Sequence, residues 1–242
     1  MRKYISLLLA LLLTSSVCAT AANTKVVASG KIVSKEIKGI AGFKEIQTNS
    51  SVSVIYHNAA DTRIVVNASD NVIPYIEVVK KGSRLEVGLK KGVNVRVKNS
   101  RADLKVNVYA PEVSAFTVKG SGDIECKAVS GDVVALGVTG SGDVKVSSVA
   151  TDELACGVSG SGDIVVAAGT VGSANYGVTG SGDIKASSVI ATEANAVASG
   201  SGDISCRATK QLSTAAMGSG NIYYYGNPAK VIGKNKRVKA RN

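Results

Sequence analysis

Residues 120–144 read GSGDIECKAVSGDVVALGVTGSGDV, and the five residues that open the stretch, Gly120-Ser121-Gly122-Asp123-Ile124, return at its end as Gly140-Ser141-Gly142-Asp143-Val144. The block recurs from Gly160, Gly180 and Gly200 at the same 20-residue interval. A degenerate sixth copy stands at Gly218-Ser219-Gly220-Asn221-Ile222. Self-similarity at one fixed period marks stacked coils, because no single unit of this size buries its own apolar face. The columns show what each coil contains. Ile124, Val144, Ile164, Ile184 and Ile204 form one apolar column, and Cys126, Val146, Val166, Ala186 and Cys206 a second, with mostly polar residues between. Alternation of period two is a half-buried strand. Leu136/Val138, Cys156/Val158, Tyr176/Val178 and Ala196/Ala198 repeat the pattern in the second half of each coil.

The class that follows is all-β, a parallel β-solenoid with 20-residue coils. Helical repeats fail, since the glycine blocks and Val-rich segments disfavour helix and no leucine ladder exists. Small residues at Ala128, Ala168, Ala194 and Ala208 are expected to face a narrow interior. Gly-Ser-Gly-Asp is expected to form the corner, with glycine allowing positive φ and close approach of the next coil, and Asp and Ser closing the turn on backbone amides. One carboxylate per coil is a thin site for calcium, which takes 6–8 oxygens.

Working outward, residues 43–118 lose the strict repeat but keep short strands, among them Val52–Tyr56, Arg63–Val66, Leu85–Leu89 and Leu104–Val108. They read as wider, irregular coils. Tyr223, Tyr224 and Tyr225 follow the last copy and read as an end cap over open strand edges. The N-terminus carries Arg2 and Lys3, an apolar core from Ile5 to Leu13, then small residues to Ala22. That order is a secretory signal peptide, and its core is too short to span a bilayer. Cys18 lacks the Leu-like residue three positions earlier that a lipid anchor would show, so anchoring is the lesser reading. The expected division is a signal peptide at 1–22, a linker at 23–39, the solenoid at 40–228 with regular coils over 120–222, and a basic tail at 229–242.

Export bounds the chemistry. The expected mature chain holds three cysteines, Cys126, Cys156 and Cys206, with no metal-ligand spacing, and His57 is the sole histidine. Cys126 and Cys206 share a column four coils apart, roughly 19 Å, beyond disulfide reach. All three are expected as buried free thiols. Charge is segregated: 223–242 holds six basic and no acidic residues, while 120–222 holds five basic and ten acidic. In an exported chain this charge serves solvation of the surface or a partner that is an envelope protein, a glycan or an anionic surface, rather than nucleic acid.

Phe43/Ile46, Ser51–Val54, Leu85–Val87, Val106–Pro111, the Gly-Ser-Gly-Asp series and Gly220–Pro228 together resemble the head GIN domain family of auto-transporter adhesins, exported proteins of Bacteroidetes. The resemblance implies a right-handed β-helix and a cell-envelope setting, and it brings no catalytic residues. The function expected is a non-enzymatic exported binding or structural module, adhesin-like, with no catalytic, cofactor or metal residues assigned. The alternative is a polysaccharide lyase or hydrolase. Hydrolysis needs two carboxylates at a set separation. The repeated Asp column singles out no pair, which leaves single carboxylates such as Glu153 or Glu193 as candidates.

Overall fold

A computed structural model describes residues 24–97 and 104–241. The expected signal peptide and Cys18 lie outside the described residues. The first strands are β1 (Thr24–Val27), β2 (Ile32–Ile37), β3 (Glu45–Thr48), β4 (Ser53–Asn58), β5 (Arg63–Ser69), β6 (Ile76–Lys81), β7 (Arg84–Leu89), β8 (Val93–Arg96), β9 (Leu104–Ala110) and β10 (Ala115–Val118). The repeat region supplies β11 (Ile124–Val138), β12 (Val144–Val158), β13 (Ile164–Val166), β14 (Gly169–Val178), β15 (Ile184–Lys185), β16 (Val189–Ala198) and β17 (Ile204–Ala216). Three short strands close the chain: β18 (Ile222–Tyr225), β19 (Lys230–Ile232) and β20 (Val238–Ala240).

The 20-residue register is realised without a slip from β11 to β16. Ile124 pairs with Val144, Val144 with Ile164, and Ile164 with Ile184, all parallel. Leu136, Cys156, Tyr176 and Ala196 align in the same way on the other side of the coil. The first columns continue beyond the repeat in both directions. Val106 and Val54 precede Ile124, while Ile222 and Val238 follow Ile204. Tyr56 precedes Cys126 and Tyr224 follows Cys206. All of these inward residues but Val238, which is partly buried against the others, are almost fully buried, and they form one continuous core. Tyr56 meets Phe116 from the facing column at 5.2 Å between ring centroids, so the two sides touch through the interior.

The head is wider and mixed. β5 runs antiparallel to both β9 and β2, and β6 runs antiparallel to β7, while β3, β4 and β10 stack parallel with the coils. Four details depart from the sequence reading. Residues 23–39, expected as a linker, carry β1 and β2. β1 pairs with β8, and β2 covers the free edge of β5 because an exposed strand edge there would leave its amides unpaired. Residues 229–242, expected as a tail, carry β19 and β20, which lay a further rung on β17 and β18. The tyrosines therefore do not end the stack: Tyr224 is buried in the Cys206 column, and Val231 and Val238 pack beyond it. Ala194 and Ala208 are buried, but Ala128 and Ala168 are exposed; Val129 takes the inward place beside Ala128.

Candidate functional site

The corners explain the glycines and the aspartate of the repeated motif. The carbonyl of Gly140 accepts hydrogen bonds from the amides of Ser161 and Gly162 in the next coil, at 3.0 and 3.4 Å. The same pair of bonds recurs on Gly120, Gly160, Gly180 and Gly200. A Cβ on any motif glycine would lie under 3.0 Å from backbone of the preceding rung. Close approach, and not positive φ, is thus what requires glycine: none of these glycines has a left-handed φ. Asp123 Oδ1 accepts the amide of Asp143, and the pattern continues through Asp163, Asp183 and Asp203 to Asn221, each bond 2.7–2.9 Å. Second carboxylate oxygens meet lysines, with Lys145 at 3.1 Å from Asp143 and Lys185 at 2.6 Å from Asp163. Burial pushes the Asp143 carboxyl up, but the Asp163 amide and Lys145 outweigh it and hold it below the usual range. Its hydrogen bond to Asp163 holds the Lys185 ammonium above its ordinary range. Every acid of the column therefore has a structural partner.

Among the described residues no group of three His, Cys, Asp or Glu is placed to hold a metal ion. Glu153 and Glu193 sit exposed on one outer column of the coils, two rungs apart, and Glu153 accepts a hydrogen bond from Asn175 Nδ2 at 3.3 Å. Cys126, Cys156 and Cys206 are all free and buried. Burial pushes the Cys206 thiol up to about 12 and the other two higher still. Tyr176 is buried beside two of them, and its hydroxyl has no hydrogen-bond partner among the described residues. His57 stacks on Tyr109 at 4.4 Å, and Arg63 lies over the same ring. Near the head, Lys44, Asn58, Glu112 and Asp132 border an open hollow of about 630 Å³. There Glu112, at φ 53°, is the one non-glycine residue in the left-handed region among the described residues, and it pairs with Lys44.

The arrangement most unlike a structural necessity is a second glycine column. Gly137, Gly157 and Gly177 stack in register on the outer face, between Thr117 below and Val197 above. Their backbone is ordinary extended strand, and a Cβ at Gly157 or Gly177 would meet nothing within 4 Å. The fold does not demand them. They floor a shallow channel of about 440 Å³ that also touches Ala135, Ala155, Asn175 and Asn195. Beyond the floor runs an exposed hydroxyl column of Thr139, Ser159, Thr179 and Ser199. Sequence reasoning missed this face, although the signal was available: a glycine at the 20-residue spacing that lies outside the corner motif.

A family model described as "Putative auto-transporter adhesin, head GIN domain" matches residues 42–228. A crystal structure of a "putative adhesin" from Bacteroides fragilis is 25% identical, with 89% of this chain and 96% of that one covered at a TM-score of 0.79. A "putative adhesin" from Parabacteroides merdae is 26% identical over 90% of this chain and 100% of that one, TM-score 0.70. A "putative lipid binding protein" from Parabacteroides distasonis is 26% identical with the same coverage and a TM-score of 0.69. No curated protein matches the chain.

Proposed function

The chain belongs to the head GIN domain family, and on that premise we propose that this exported, adhesin-type β-solenoid binds a neutral envelope glycan along its glycine-floored face. The observation that carries the reading is the Gly137–Gly157–Gly177 floor, which the fold does not need. A polymer lying along the stack meets the same floor every ~4.8 Å, bordered by Asn175 and Asn195 on one side and by the Thr/Ser column on the other. Carboxamides and hydroxyls both donate and accept, which suits sugar hydroxyls. The exposed Glu153 and Glu193 beside the channel disfavour an anionic chain there. Removal of residues 1–22 on export, and a partner outside the cytoplasm, belong to the same reading.

Val197 already occupies the glycine column, so that position tolerates a branched side chain. Gly137, Gly157 and Gly177 changed together to Val should leave folding intact and fill the channel. Binding of the purified protein to neutral envelope polysaccharide, followed by interferometry, should fall at least tenfold. Unchanged binding by the triple variant overturns the assignment of this face.

A further inference from the structure

The acidic residues of the chain stop at Asp203. Residues 204–242 hold eight Lys and Arg and no Asp or Glu. The structure turns this sequence bias into a surface, because β18, β19 and β20 are the last rungs of the stack. Tyr223 pairs in register with Lys239, and Arg207 with Tyr225, on the outer side of the sheet. Arg241 lies over the Tyr223 ring at 4.8 Å, Lys239 at 5.6 Å, and Arg207 over Tyr225 at 5.8 Å. Among the described residues all ion pairs fall between Lys31 and Lys185, so none neutralises this end. Ile232 on β19 is 42% exposed, and Met217, just past the end of β17 one rung below, is 72% exposed. β19 and β20 each pair on one side only.

We infer that this C-terminal end of the solenoid docks end-on onto an anionic lipid surface. Clustered cations, interfacial tyrosines and exposed aliphatic side chains are the composition of a face that lies in a headgroup layer. A polysaccharide chain or a small anion would want a groove, and neither hollow described above includes a residue after Val197. A lipid surface needs none. The inference is independent of the glycine channel, which lies on the flank of the stack.

The test is co-sedimentation of the mature protein with vesicles of phosphatidylcholine alone and of phosphatidylcholine mixed with phosphatidylglycerol. Binding is expected to the mixed vesicles only, and to fade in molar salt. Each cation near such a surface contributes roughly fivefold in affinity, so Lys234, Lys236, Lys239 and Arg241 changed together to Gln should lose several hundred-fold. Met217→Ser should also weaken binding while leaving all the charges. All five side chains are exposed, so folding should persist, which circular dichroism checks. Equal binding to both vesicle types, or full binding by the fourfold variant, overturns the inference. So does capture of polygalacturonate with no binding to vesicles. The cations have one other use, keeping bare strand edges from pairing end to end. A fourfold variant that merely oligomerises, with a parent that ignores vesicles, establishes that use and overturns the lipid reading.

Discussion

Gly157 and Gly160 stand three residues apart in the same coil, and the structure assigns their substitutions opposite outcomes. At Gly160 an added methyl would lie under 3.0 Å from Gly140 O and from the carbonyl carbon and oxygen of Thr139. All three are backbone atoms, so no side chain can swing aside. Forcing the coils apart adds about 1–3 kcal/mol of overpacking. It also weakens the two bonds that Gly140 O accepts from Ser161 and Gly162, at about 1 kcal/mol each. Gly160→Ala should therefore destabilise by about 3–5 kcal/mol. At Gly157 the methyl meets nothing within 4 Å, and the unfolded chain loses freedom. Gly157→Ala should be neutral or stabilise by about 0.4–1 kcal/mol. Urea unfolding of both variants, monitored by circular dichroism, reads the difference directly. A Gly160→Ala midpoint that matches the parent, or two variants that lose the same stability, would refute the claim that rung contact requires the corner glycines and nothing requires the others.

The Asp ladder, the buried tyrosine and the thiols supply three further expectations. Asp163→Asn keeps the acceptor for the Asp183 amide and loses only the half-exposed Lys185 pair, so it should cost under about 1 kcal/mol, whereas Asp163→Ala orphans that amide and should cost about 1–3 kcal/mol; equal losses in urea melts would show the ladder to be idle. Tyr176→Phe removes a buried hydroxyl that has no partner and should leave thermal stability unchanged or raise it by up to about 1 kcal/mol, while a clear loss would reveal a hydrogen bond to it. Burial keeps Cys126, Cys156 and Cys206 protonated, so iodoacetamide should label none of them below the unfolding transition even at mildly alkaline pH; rapid labelling, or a Cys126–Cys206 disulfide in the non-reduced mass spectrum, would contradict the stacking register.

The regular coils were legible because their period is short and their register exact. Each inward column could be read by stepping 20 residues, and Cys126, Cys156 and Cys206 lie where that stepping places them. Two kinds of information were not legible. The ends of the stack carry no repeat, so β2 and β20 are recognisable only through the strands they pair with, Arg63–Ser69 and Ile222–Tyr225, which sequence proximity does not reveal. The second kind is the difference between one glycine and another. Gly157 and Gly160 look alike in a string, and only the backbone stacked below shows that one is compelled and the other spare. The channel was missed for that reason. Ala128 was misplaced for a related one: at a corner the two-residue alternation breaks, and the neighbouring Val129 turns inward instead.

Glycan binding along the glycine floor is tested most directly by a thiol footprint, for which the three buried native cysteines leave a silent background. Ala155→Cys places a thiol at the channel wall, and Glu125→Cys places one on the other outer face of the coil. Alkylation rates are measured for each with and without neutral envelope polysaccharide. Slower alkylation at position 155, with position 125 unaffected, is the predicted result; equal rates at 155 with and without polysaccharide, or protection at 125 alone, would contradict it.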